Sequence, residues 1–383
     1  MGEDVKQERL VSLDALRGMI MVLMAVDHSS YFIGKRHPAE YWGISLPTYG
    51  DGLSFLTRLI THPCAPGFFF LMGAGMILFA ASRRGLGWQE GRIIRFFIVR
   101  GFLLVGIEMF FINITWLMGM LSSKAEFQSM GPGGGGDTRI AFLVLSALGF
   151  SMIFSSLLLR LGPAILLFLG TALTLFVQFA IPGPESVGTL FHPLLRVLLI
   201  PGQTGSLSVM YPILPWFGIC CLGMGFGRLL LQDRRRAFRY ALYAGMVSIA
   251  LFVVLRSLGG FGNFHAPEAG WIGFLNLTKY PPSLTFVLLM LGINLVLLTI
   301  FEKLAAGLKR WGKPLLIFGG TAFFFYVLHM YVFAGLGFAF PYGAGVIVIC
   351  TVCLGVLLFL YPICRWYGNF KRRTKPESIW RFF

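Results

Sequence analysis

Ten stretches of about 20 mostly apolar residues alternate with polar segments along the chain, at roughly 12–33, 64–82, 93–115, 140–159, 163–181, 209–231, 238–258, 282–301, 315–337 and 343–364. A helix needs about that length to cross some 30 Å of hydrocarbon. The pattern predicts an all-α, polytopic integral-membrane bundle of about ten helices. It forms one transmembrane unit over residues 1–383, with tails at about 1–9 and 366–383. The first stretch is too long for a cleaved signal and is expected to stay as the first membrane helix. The glycine run GPGGGGD at 131–137 reads as a flexible connection, because ordering glycine costs the most backbone entropy. Prolines and aromatics cluster at three helix starts, HPCAPGFFF, YPILPWFG and KYPPSL. Proline is tolerated there because first-turn N–H groups have no helical partner.

Composition agrees: 56% of residues are hydrophobic and 13% charged, against about 25% charged in soluble domains. A formal charge of +16 would elsewhere suggest nucleic acid, but the basic residues sit in alternate loops. Arg83, Arg84 and Arg92 form one group, Arg234, Arg235, Arg236 and Arg239 the next. Lys303, Lys309, Arg310 and Lys313 follow, and then Arg365 through Arg381. By the positive-inside rule that side is cytoplasmic and holds both termini, as expected of a multi-pass protein of the bacterial inner (cytoplasmic) membrane. The positive charge then reflects topology and attraction to anionic lipid headgroups, and no nucleic-acid partner is expected. The six cysteines fall within or at the ends of predicted helices, so no disulfide framework is implied. Cys350 and Cys353 form a CxxC on a continuous apolar helix with no accompanying ligands, which reads as small packing residues; no metal is expected.

Ionisable groups inside membrane helices are costly and mark functional sites by default. The stretch LDALRGMIMVLMAVDHSS, 13–30, keeps four: Asp14, Arg17, Asp27 and His28. On an ideal helix Arg17 and His28 are about 20° apart in azimuth and roughly 16 Å apart in height, hence on one face. Asp14 precedes Arg17 at salt-bridge spacing. Asp27 points about 100° away from His28 and needs a partner on another element. His62 and His329 fall at a depth similar to His28, so a three-histidine cluster is allowed. Histidine is the usual general base near neutral pH. An arginine below it suits a donor that carries phosphates, either binding a phosphate or polarising a thioester. The plainer alternatives are a boundary arginine snorkelling beside Asp14 and hydrogen-bonded core histidines at 28, 62 and 329.

Arg17, ten residues, then His28, within SLDALRG, resembles the arginine and histidine pattern of the integral-membrane acyltransferase superfamily. The longer string RLVSLDALRGMIMVLMAVDH, with TRLITHPCAPGFFFLMG, YPILPWFG, TKYPPSL and FFFYVLHMY, is similar to a bacterial branch of the heparan-alpha-glucosaminide N-acetyltransferase-like family. The resemblance implies transfer of an acetyl or other short acyl group from cytoplasmic acetyl-CoA or another acyl-CoA to an acceptor on the far side. That acceptor is expected to be a sugar or glycolipid of the envelope, with membrane lipids as further partners and a homodimer allowed.

The animal lysosomal enzymes of that family carry their key histidine in the first external loop, shortly before Trp-Asn-Gly, and none matching His28. Here KRHPAEYWG offers His37, followed by Tyr41, Trp42 and Gly43. Either His28 or His37 is therefore a candidate to act on the acceptor. The register with Arg17 favours His28, since a loop histidine beside Lys35 and Arg36 is often solvated. Arg58 is a candidate contact for an anionic acceptor, or else a solvated external arginine. Tyr211, Trp216 and Tyr280 suit stacking on a sugar or lipid head, or else anchoring at the membrane interface. Two rival classes remain: a transporter or lipid flippase that uses the intramembrane charges, and a haem- or quinone-binding protein that uses helix histidines.

Overall fold

In the computed structural model, residues 10–124, 140–183, 193–204, 207–374, 378 and 380 are described; the glycine run at 131–137 lies outside them. The helices are α1 (Val11–Phe32), α2 (Gly52–Leu59), α3 (Cys64–Gly85), α4 (Glu90–Ile107), α5 (Asn113–Leu121), α6 (Val144–Leu157), α7 (Pro163–Ala180), α8 (Pro193–Leu198), α9 (Ile213–Gln232), α10 (Arg234–Leu258), α11 (Gly270–Leu275), α12 (Leu284–Lys303), α13 (Ala305–Trp311), α14 (Lys313–Gly320), α15 (Ala322–Leu336) and α16 (Val346–Arg373). Each apolar stretch of the sequence falls on one of these or on helices joined end to end. Among the described residues eight segments are long and apolar enough to cross a membrane. The other two stretches are α1, interrupted by its charges, and the 14-residue α6.

Hydrogen bonds between helix ends define two faces. Arg84 and Arg228 both donate to the Leu159 carbonyl, and Arg84 pairs with Glu90 at 2.7 Å. Arg234 and Ser12 both donate to Glu302, each at 2.7 Å. These contacts gather the basic helix ends on one face. On the opposite face the loops tie to one another: Lys35 donates to Ser122 at 2.6 Å, Trp42 N–H to the Tyr280 carbonyl at 3.1 Å, and His265 Nε2 to the Ile44 carbonyl at 2.8 Å. Arg256, at the end of α10, donates five hydrogen bonds, to Asn263 and to the carbonyls of His265, Gly273, Phe274 and Asn276. All five guanidinium N–H groups are thereby used, which fixes the loop at 259–280.

The structure departs from the sequence pattern in five places. The stretches expected at 140–159 and 209–231 begin as strands, β1 (Ile140–Phe142) and β3 (Leu207–Val209), which with β2 (Gly202–Thr204) form a small sheet in the order β1-β3-β2. Hydropathy registers burial of Phe142 and Val209 but not backbone geometry. The stretch at 93–115 contains a π-helical turn, Glu108–Ile112, between α4 and α5. The buried Glu108 carboxylate accepts from the N–H groups of Leu143, Leu145 and Ser146 at 2.8, 2.7 and 3.1 Å. It satisfies the start of α6, which has no side-chain cap of its own. The stretch at 315–337 is two helices, α14 and α15, separated at Thr321. There α1 and α14 touch backbone to backbone: a Cβ on Gly18 would lie 1.9 Å from the Leu315 carbonyl oxygen, and one on Gly319 1.9 Å from that of Asp14. Finally, α16 continues to Arg373, into the segment expected as a tail.

Candidate functional site

Helix α1 carries one polar group at each end of its buried stripe. Near the basic face Arg17 donates to Asp14 at 3.1 Å and to the carbonyl of Gly319 at 3.3 Å. It lines a cavity of about 310 Å³ whose other basic residues are Arg100 and Lys371, whose walls include Met21, Met76 and Phe97, and which also reaches Tyr326. Three cations and an extended apolar wall share the lining, which fits a phosphate-bearing molecule with a long uncharged arm.

At the other end of α1, Asp27 has the partner its direction required. Its Oδ1 accepts from Arg58 at 2.5 Å and from Thr61 at 3.0 Å, and its Oδ2 lies 3.5 Å from His37 Nε2. Arg58 also forks onto Glu40, Nε to Oε1 and Nη2 to Oε2, both at 2.7 Å. Arg58 is 6% exposed and Glu40 fully buried. The solvated external arginine allowed by the sequence is thus corrected: Arg58 bridges two carboxylates. Burial alone would raise the Glu40 carboxyl, but the Arg58 guanidinium, together with His62 and Lys279, outweighs it and holds the group down at about 2. His37 departs from the solvated loop histidine in the same way. Its side chain is 5% exposed, beside Asp27 and edge-on to Trp116 at 6.0 Å. Asp27, Lys35, His37, Tyr49, Arg58 and Tyr342 line a second cavity, of about 660 Å³, on the loop face.

Between the cavities lie two stacked imidazoles. His28 Nδ1 is 2.8 Å from His329 Nε2, with ring centroids 5.0 Å apart. His329 Nδ1 is 2.8 Å from the Phe325 carbonyl oxygen, which only accepts, so His329 carries a proton on Nδ1. With both rings neutral, His329 Nε2 is bare and accepts from His28 Nδ1, which leaves the lone pair of His28 on Nε2. His28 packs edge-on against Trp116 at 5.7 Å and Tyr326 at 6.2 Å. Tyr326 reaches the cavity on the basic face, and Asp27, next to His28, lines the one on the loop face.

The remaining candidates lie apart from this wall. His62 is buried, 3.7 Å from Glu40 and against Phe286 at 5.6 Å. The allowed three-histidine cluster is therefore a pair, His28 and His329, with His62 on the Glu40 side. Trp216 is fully buried and stacked on Phe69 at 5.3 Å; the Tyr211 and Tyr280 hydroxyls meet at 3.2 Å. All three are core aromatics, neither sugar platforms nor interface anchors. Three members of the site were missed in the sequence. Glu40 was visible as an acid three residues after His37. Tyr326 stands at helical i,i+3 spacing before His329, so it had a signal. Trp116 had none. Among the described residues no group of three or more His, Cys, Asp or Glu is arranged to hold a metal ion.

A comparison with protein families matches residues 9–261, more than half of the chain, to the family model described as heparan-alpha-glucosaminide N-acetyltransferase, catalytic. No curated protein matches the chain.

Proposed function

The chain belongs to the heparan-alpha-glucosaminide N-acetyltransferase catalytic family, a family of membrane acetyltransferases, and from that premise we propose that it moves an acetyl or other short acyl group across the bilayer. The donor is acyl-CoA entering at the basic face, which is cytoplasmic in a bacterial inner membrane. The acceptor is an amine or hydroxyl of an envelope sugar or glycolipid that enters from the loop face. The observation that carries this reading is the pair of cavities, one lined by Arg17 and Lys371 of the basic face and one by the loops, linked by Tyr326 against His28 on one side and by Asp27, next to His28, on the other. Such a wall is where a membrane-impermeant donor and an acceptor on the far side have to meet.

In this mechanism Arg17 and its basic neighbours hold the phosphates of the donor, and the pantetheine arm runs along the apolar wall towards Tyr326. The acceptor nitrogen or oxygen attacks the thioester carbonyl while His28 Nε2 takes its proton. The resulting charge is shared with His329 through the 2.8 Å hydrogen bond, and the thiolate leaves with that proton. A base belongs where both substrates meet, and His28 stands between the cavities. A second reading makes His37 the base: it lines the acceptor-side cavity and has Asp27 at 3.5 Å to orient it. Transfer of label from acetyl-CoA to glucosamine-terminated oligosaccharides by the protein in liposomes tests both. Loss of a general base costs typically 10²–10⁴-fold. His28→Gln is expected to lose that much; retention there with loss in His37→Gln moves the base to His37. No turnover of any acyl-CoA by the wild-type protein refutes the acyl-transfer reading.

A further inference from the structure

The donor-side cavity has few polar side chains, and only one of them also touches the imidazole pair. Arg17, Arg100 and Lys371 are basic; Tyr326 is the phenol. Its ring is 5% exposed, edge-on to His28 at 6.2 Å and 72° and to His329 at 5.7 Å and 67°. Its position follows from the helix break at Thr321: α15 restarts there, so Ala322, Phe323 and Tyr326 turn towards the cavity while His329, one turn on, meets His28. Three other buried tyrosine hydroxyls are engaged: Tyr31 donates to the Trp116 carbonyl, and Tyr211 and Tyr280 meet each other. The Tyr326 hydroxyl has no hydrogen-bond partner among the described residues. Tyr326 lines the cavity, so its hydroxyl is free to donate to a group that enters there.

We propose that Tyr326 is a catalytic residue whose O–H donates to the carbonyl oxygen of the reacting acyl group. The inference rests on the acyl-transfer reading above. Attack by the acceptor on the carbonyl carbon turns the carbonyl oxygen into an oxyanion, and the acceptor proton passes to His28 Nε2. The carbonyl re-forms as the carbon–sulfur bond breaks, and the thiolate takes the proton from His28. Tyr326 keeps its own proton throughout; its hydrogen bond strengthens as charge builds on the oxygen. The apolar lining of Met21, Met76 and Phe97 makes this bond stronger than it is in water.

The test is Tyr326→Phe in the full-length protein reconstituted in liposomes, with acetyl-CoA as donor. The ring and its contacts remain, so a residue needed only for packing tolerates the change. The expected result is a fall in kcat of about 10²–10³-fold, the size seen when one oxyanion donor is removed, with donor KM within threefold and an unchanged melting temperature. A kcat within threefold of wild type overturns the proposal. So does a raised donor KM at unchanged kcat, which would assign the hydroxyl to ground-state binding. A wild-type protein without acyl transfer fails the acyl-transfer reading itself, whereas an active wild type with an equally active Tyr326→Phe fails this inference alone.

Discussion

Replacing Arg58 by glutamine separates a bridging arginine from a ligand-binding one. In the native chain the guanidinium makes two bonds of 2.7 Å to Glu40 and one of 2.5 Å to Asp27, with Glu40 fully buried. Removing one partner of a buried ion pair leaves a charge uncompensated, at a cost of about 3–5 kcal/mol. At about 1.4 kcal/mol per decade, that is roughly a hundredfold to several-thousandfold rise in the unfolded-to-folded ratio. Unfolding of the purified protein in detergent, followed by tryptophan fluorescence, measures it. Adding Glu40→Gln to Arg58→Gln should recover part of the loss, because the stranded carboxylate is gone. The wild-type pair also has a pH signature. The folded Glu40 carboxyl sits at about 2 against an ordinary 4.5, so its contribution is fully present above pH 4.5 and disappears as the pH falls from there to about 2. Arg58→Gln should lack that slope. Wild-type unfolding of Arg58→Gln, accompanied by weaker binding of an anionic acceptor, would refute the bridging role.

Three further outcomes follow from the same geometry. Arg17→Ala should raise the KM for acetyl-CoA at least about tenfold, the scale of a lost charge-assisted hydrogen bond, with a smaller change in kcat; steady-state kinetics with an unchanged KM would contradict its role at the donor mouth. Glu108→Ala should destabilise by about 3–5 kcal/mol, since three N–H groups at the start of α6 lose their acceptor, whereas Glu108→Gln keeps an acceptor oxygen and costs less; equal melting of both variants would contradict the capping role. Gly319→Val should lower the melting temperature by forcing α14 from α1, where even a Cβ would meet the Asp14 carbonyl at 1.9 Å; Gly355→Ala, with nothing within 4 Å, serves as the neutral comparison.

Much of the fold was legible because a bilayer imposes one rule on the chain, an apolar run of fixed length, and every such run here became helix. What breaks the rule locally was not. The β1 and β3 strands are as apolar as the helices they precede, and the break at Thr321 falls inside an equally apolar run. Arg17 and His28 stood out in the site because a charge or an imidazole in hydrocarbon is costly. Their neighbours did not, because depth along a helix says nothing about which helix lies beside it. His329 and His62 had equal claims on His28, and only the packing of α15 against α1 chose between them. Asp27 visibly lacked a partner, yet Arg58 reaches it only because the first loop folds back over α1. Tyr211, Trp216 and Tyr280 illustrate the converse. Aromatic residues near helix ends look alike in sequence whether they face lipid, ligand or core.

Donor and acceptor meet at one point, the wall between the two cavities, and a density map of the protein with a non-transferable acetyl-CoA thioether analogue tests this most directly. The phosphates are expected beside Arg17 at the basic face, with the thioether sulfur and acyl carbonyl between Tyr326 and His28. An acyl end lodged elsewhere, out of hydrogen-bond reach of both side chains, would contradict it.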